Sequence, residues 1–258
     1  MRMMKKVLGT VTVLALSVSL LAGCGSTAAS PVSSAASTAA ESTTSSVVSE
    51  TTSAAADENE AAAAQLLNDL TGSYQELWPV ILADEYKQTW LDVCTALVGE
   101  DNAEAAFEKL SSMVTGDVYG EDAVEAYANG GGAYFCGFTN SLATLTFDGE
   151  TSTISGTDKD GNVLFSHTYH YIGMEPVHGL YEFESDDADS GEFTYFFLAP
   201  DTSAETYHIE FRYGSDAEAL SQYDAGEYAY WVASGISTDC DQTMIDNCIE
   251  LFCTENLA

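Results

Sequence analysis

Basic side chains are scarce in this chain. Seven Lys and Arg stand against 41 Asp and Glu, for a formal net charge of −34 over 258 residues. Three of the seven, Arg2, Lys5 and Lys6, lie at the extreme N-terminus. A general nucleic-acid binder needs clustered Lys and Arg to displace counterions, so that class is excluded. Docking on anionic lipid through a basic patch is disfavoured for the same reason. Histidine is also rare, with four in all, and none lies between residues 25 and 64. No G-x-S-x-G, no H-E-x-x-H and no glycine-rich phosphate loop leading into a helix occurs. With no nucleophile–base constellation, binding is expected and not enzymatic catalysis. No internal repeat recurs at a fixed period.

What is present begins with an export signal. The basic start precedes an apolar run from Val7 to Ala22, too short and wrongly flanked for a stable spanning helix. It ends in Leu21-Ala22-Gly23-Cys24, which resembles a bacterial lipobox. That resemblance implies a signal peptide over 1–23 and a lipid anchor on Cys24. Two or more acyl chains hold a protein on a membrane where one would not. Residues 24–64 are almost wholly Ser, Thr and Ala, with too little apolar area to offset ordering, and read as a disordered tether. Forty such residues have an r.m.s. span of about 35 Å. The expectation is an extracytoplasmic lipoprotein held off the outer face of the cell membrane, with one folded domain over 65–258.

Within that domain, helical periods come first. Tyr86, Trp90, Val93, Cys94 and Leu97 share a face, and Phe107, Leu110, Met113 and Val114 make a second stripe. A third helix, 121–128, stops at Asn129-Gly130-Gly131-Gly132. From Ala133 the period switches to two. Strands are predicted over 134–138, 143–147, 151–156, 163–172, 180–184, 193–199 and 207–213, each gap carrying turn residues. A short helical stretch near 216–223 and a last helix near 241–253 follow. The fold class is therefore mainly β with flanking helices: a closed or nearly closed antiparallel barrel.

Five cysteines remain besides Cys24: Cys94, Cys136, Cys240, Cys248 and Cys253. An exported compartment permits disulfides, and the pairing is open, Cys94 with one of the last three included. Asp158-Lys159-Asp160-Gly161-Asn162 resembles the start of a calcium loop but reads as a hairpin turn. The acidic run 186–192 reads as a solvated loop. His167 shares a face with Phe165 and Tyr169 and reads as a core histidine. His170 lies on the opposite face, and His178 sits in a turn.

The domain centres on 193–216, FTYFFLAPDTSAETYHIEFRYGSD, two aromatic strands joined by a polar turn. Tyr207, Ile209, Phe211 and Tyr213 fall on one face of the second strand, His208, Glu210 and Arg212 on the other. An imidazole and a carboxylate two residues apart project the same way, so both can reach one ion.

This segment resembles the metal-binding stretch of the ZinT / AdcA C-terminal domain family of lipocalin-like zinc-binding proteins, in which S-D-H-x-I-x-P is followed by a turn and H-F-H. Here Leu198-Ala199-Pro200 and then His208 to Asp216 fall in the same order. Leu70, Gly72, Tyr74, Gln75, Pro79 and Leu82 are similar to the family's N-terminal pattern. The resemblance implies a lipocalin-like barrel (a calycin) with N-terminal helices and a C-terminal helix. It also implies zinc at the barrel mouth on His208 and Glu210, and a role in buffering zinc or handing it to a metal-import system. Phe196 stands at the family's third ligand position and Glu210 at its second imidazole. Replacement ligands are expected from His178, Tyr195, Glu182 or Glu184, with Arg212 and Tyr195 supporting the ligands from behind. The alternative is a metal-free calycin that binds a small organic ligand or a surface partner through Tyr195, Phe196, Phe197, Tyr207 and Phe211.

Overall fold

A computed structural model describes residues 58–199 and 208–257. The export signal, Cys24, most of the tether, Pro200 and Tyr207 lie outside the described residues. Eight antiparallel strands close a barrel in sequence order, β1 Gly72–Glu76, β2 Thr144–Asp148, β3 Thr153–Thr157, β4 Val163–Met174, β5 Tyr181–Ser185, β6 Tyr195–Leu198, β7 His208–Gly214 and β8 Ala233–Ser237. The expected barrel is present, with helices flanking it.

Six of the strands are those the alternation predicts. The two that close the ring are not. β1 lies inside the N-terminal pattern at 70–82, and β8 reads Ala-Ser-Gly-Ile-Ser, too small and too weakly alternating to register as a strand. Their mutual pairing, Tyr74 with Ser237 and Glu76 with Gly235, completes the ladder. Conversely, the predicted strand over 134–138 is corrected. Only Phe135 bridges, to Thr115 and Trp231, outside the barrel. With β8 sealing β1, no free edge is left to accept it. Glu76 Oε1 accepts the Phe138 N–H at 2.6 Å, and Ser234 N–H donates to the Cys136 carbonyl. This segment therefore straps the seam.

The barrel interior is filled by rings. Phe147, Phe183, Phe196, Phe211, Tyr213 and Trp231 are essentially fully buried in one core, and Tyr213 Oη accepts from the Thr139 N–H at 2.6 Å. Inward residues alternate with outward ones along each strand, as a barrel requires.

The helices make a second core on the outside. α1 occupies 58–69, α2 is Leu77–Ile81, α3 Lys87–Val98, α4 Ala103–Val114, α5 Glu121–Ala128, α6 Ala217–Leu220 and α7 Gln242–Leu257. The helix at 58–69 begins upstream of residue 65, the expected start of the folded domain. Ala63 is fully buried beside Leu66, Leu67 and Leu70, so the alanine run of 61–64 belongs to the packed domain. α3, α4 and α7 pack together around Trp90, Leu110 and Ile249, all fully buried. α7 is capped by Asp241, whose Oδ1 accepts the Met244 N–H. Among the described residues no helix is long and apolar enough to cross a membrane.

Candidate metal-binding cleft

β7 alternates as its sequence dictates. Ile209, Phe211 and Tyr213 enter the ring core. His208 and Glu210 therefore leave on the outer wall, cross-strand from Ile236 and Ser234 of β8. This corrects the expected place at the barrel mouth, because the aromatic face of the strand takes the interior. The outer wall is covered there by α2 and α7. On α7, Cys248, Leu251, Phe252 and Glu255 recur at helical spacing and form one stripe.

Strand pair and helix stripe meet across a cleft lined by His208, Glu210, Cys248 and Glu255 with Trp78 and Phe252. Its cavity volume is about 30 Å³, room for an ion with a water and not for an organic ligand. His208 and Glu210 are half-buried, Cys248 is buried and Glu255 stands exposed at the rim. Imidazole, carboxylate and thiol are the donor types zinc takes. Among the described residues, however, no three His, Cys, Asp or Glu side chains are grouped as metal ligands are. The donors are gathered but not yet converged.

The electrostatics of the cleft follow from burial. The Cys248 thiol is pushed up to about 12, by burial first and then by Cys240. Cys136 is likewise pushed up to about 12, by burial and then by the charge of Glu210. Both thiols are protonated at neutral pH. The buried indole N–H of Trp78 has the Cys136 thiol as its neighbour.

The other expected site residues go elsewhere. His178 does not line this cleft. Its ring packs on Tyr223 with centroids 3.8 Å apart, its main-chain N–H donates to Glu175 Oε2 at 2.6 Å, and ring Nδ1 lies 3.4 Å from the same oxygen. Arg212 also lies over the Tyr223 ring, its guanidinium carbon 4.2 Å from the ring centre. Arg212 is fully buried and donates to the main-chain carbonyls of Leu220, Gln222 and Tyr228. Its contact with Tyr223 is through the ring face, since the Tyr223 hydroxyl has no aligned hydrogen bond. Arg212 thus ties the 215–230 segment to β7 and does not back Glu210.

Tyr195 Oη donates to Glu184 Oε1 at 3.2 Å on the outer wall of β5 and β6. Burial, and then the charge of Glu175, raise the Glu182 carboxyl. Phe196 and Phe211 are fully buried in the ring core and Phe197 is fully buried on the outer side, so these rings pack the fold and do not line an open pocket.

The remaining histidines have carboxylate partners. His167 Nδ1 lies 2.8 Å from Asp187 Oδ2, beside the Phe165 ring. His170 Nδ1 lies 2.7 Å from Asp186 Oδ1. The acidic loop at 186–192 therefore spends two carboxylates on β4 imidazoles. Asp158 caps its own turn, accepting from Asp160 N–H and Asn162 N–H at 2.9 Å, and the Asn162 hydrogen bonds hold its carboxyl below the usual range. That is the hairpin turn expected.

Sequence reasoning missed Cys248 and Glu255. Only their spacing of seven on a helix could have marked them as one face, and nothing local ties that face to β7.

No protein-family model and no curated protein matches the chain. Among solved structures, the chain is similar to the Zn(II)-bound ZinT-like domain of Streptococcus pneumoniae AdcA, at 15% identity and a TM-score of 0.44, over 70% of this chain and 87% of that one. It is also similar to Zn(II)-bound AdcA of Streptococcus pneumoniae, at 14% identity and a TM-score of 0.41, over 71% of this chain and 34% of that one.

Proposed function

We propose that this protein binds a divalent transition-metal ion, zinc before others, in the cleft between β7 and α7. The observation that carries the reading is the cleft itself. The outward pair His208 and Glu210 faces Cys248 and Glu255 across a space of ion size. His208 supplies a neutral imidazole, Glu210 a carboxylate, Cys248 a thiol that must lose its proton on binding, and Glu255 a rim carboxylate. Zinc here is cargo. It would draw the four groups together, and the net charge of −34 would concentrate cations around the molecule.

Side-chain rotation is needed before the donors converge, and that rearrangement weakens binding relative to a rigid cage. A dissociation constant on the order of 1 μM is expected. Held by lipid at Cys24 on the tether that precedes α1, such a domain would buffer zinc outside the cell membrane and hand it to an importer. The folded domain would act as a binding module without catalysis.

Calorimetric titration of zinc into chelator-treated protein tests this. One equivalent should bind, with proton uptake by the buffer. His208→Ala should weaken binding at least tenfold, and Cys248→Ser should reduce the proton release. Absence of stoichiometric binding, or an affinity indifferent to His208→Ala, removes the proposal.

A further inference from the structure

We infer that Cys94 and Cys253 form a disulfide that staples α3 to α7. Their sulfurs are 4.0 Å apart, in van der Waals contact, on two helices that pack along each other. Both side chains are fully buried in the outer helical core, among Trp90, Leu110 and Ile249. A bonded pair needs a sulfur separation of about 2 Å, so each sulfur moves by roughly 1 Å, within a small side-chain rotation. The other thiols are placed differently. Cys136 makes its weak contact with the Tyr134 carbonyl, and Cys240 is half-buried after β8. Cys248 lines the cleft below β7, where it feels the charge of Cys240.

The chemistry is two-step exchange with an external disulfide, either a small-molecule disulfide or an oxidoreductase. The thiolate of one cysteine attacks a sulfur of that disulfide, forming a mixed disulfide and releasing one thiol. The second protein thiolate then attacks the protein-side sulfur and releases the other thiol. Two protein thiols are oxidised, one external disulfide is reduced to two thiols, and the two protons pass to the released thiols. Burial blocks an external reagent from the packed pair, so the bond forms while α3 and α7 are still docking. Once closed it is shielded from reductant by the same packing. The closed loop runs from residue 94 to residue 253 and takes in seven of the eight barrel strands, β2 to β8, so the staple stabilises by restricting the unfolded chain.

Refolding the full chain from a reduced, denatured state in a mixed oxidised and reduced glutathione buffer tests the inference. The product is alkylated, cleaved after glutamate without reduction, and mapped by mass. Cleavage places Cys94 in 86–100, Cys253 in 251–255, Cys136 in 126–150, and Cys240 with Cys248 in 228–250. A cross-linked pair of 86–100 with 251–255 is expected, alongside alkylated Cys136, Cys240 and Cys248. Reduction under native conditions should be slow, and fast once urea is added. The oxidised protein should melt about 10 °C above the reduced one. Alkylated Cys94 and Cys253, or a cross-link of either to another peptide, overturns the inference. Cys94→Ala should free Cys253 for alkylation without opening any other pair. The wild-type map decides the matter even if that variant does not fold.

Discussion

Arg212 shows how far a residue's role depends on what folds over it. On β7 it belongs to the same outward face as His208 and Glu210. The 215–230 segment then closes over it, and its donors go to three main-chain carbonyls. Removing the guanidinium leaves those carbonyls without their donor, so Arg212→Ala should cost about 3 kcal/mol, read as a lower urea midpoint at unchanged slope. Arg212→Lys should recover only part of this, because a point charge cannot serve a fan of carbonyls. The buried thiols make a second prediction. Burial lifts Cys136 and Cys248 to about 12, above the ordinary thiol value of 9.0. Between those values the folded state binds more protons than the unfolded state, so stability falls as pH rises. Burial also raises Tyr169, Tyr213 and Tyr223, which act in the same direction. The melting temperature should be lower at pH 10.5 than at pH 8, and a flat profile over that interval would contradict the assigned burial.

At the scale of elements, the seams decide the architecture. The helix at 58–69 docks against the β2–β3 hairpin so closely that a Cβ on Gly149 would lie 2.4 Å from the Asn68 Cα. Main chain cannot yield as a side-chain tip can, so Gly149→Ala should destabilise by about 2 kcal/mol, measured by chemical denaturation. β8 makes the same point from small residues. A Cβ on Gly235 would sit 3.1 Å from the Ile209 side chain, so Gly235 lets β8 lie against β7 at the barrel's closing edge. α7 does two jobs on two faces. Its Cys248–Glu255 stripe roofs the cleft, while Cys253 reaches α3.

For the whole molecule the dominant fact is charge. Seven basic residues cannot balance 41 acidic ones. Only two ion pairs to lysine occur among the described residues, Lys87 with Glu104 and Lys159 with Asp160, both at the surface. Such a surface repels itself at low ionic strength. Raising sodium chloride from 10 mM to 500 mM should therefore raise the melting temperature by several degrees. Zinc in the cleft should add stability beyond this screening, at micromolar concentration and in fixed salt, by preferential binding to the folded state. The two effects separate cleanly in His208→Ala, which should keep the salt response and lose that of zinc.

The sequence alone determined the class of the fold, because period-two alternation with turn residues in every gap leaves few alternatives to an antiparallel barrel. It determined the polar face of β7 for the same reason, since side chains on a strand alternate whatever surrounds them. It also set the helices α3, α4, α5 and α7, whose stripes are local. Tertiary structure decided the rest. The ring of strands closes through β1 and β8, which carry no strand signal: burial on both sides selects small residues in β8, and β1 is five residues that run straight into α2. Which side of the barrel wall faces His208 and Glu210, that His178 joins Arg212 around Tyr223, and that Cys248, Glu255 and Cys253 find their neighbours are all long-range matters. Residues some forty to 160 positions apart meet only when helices dock on a finished barrel, and no local period encodes that docking.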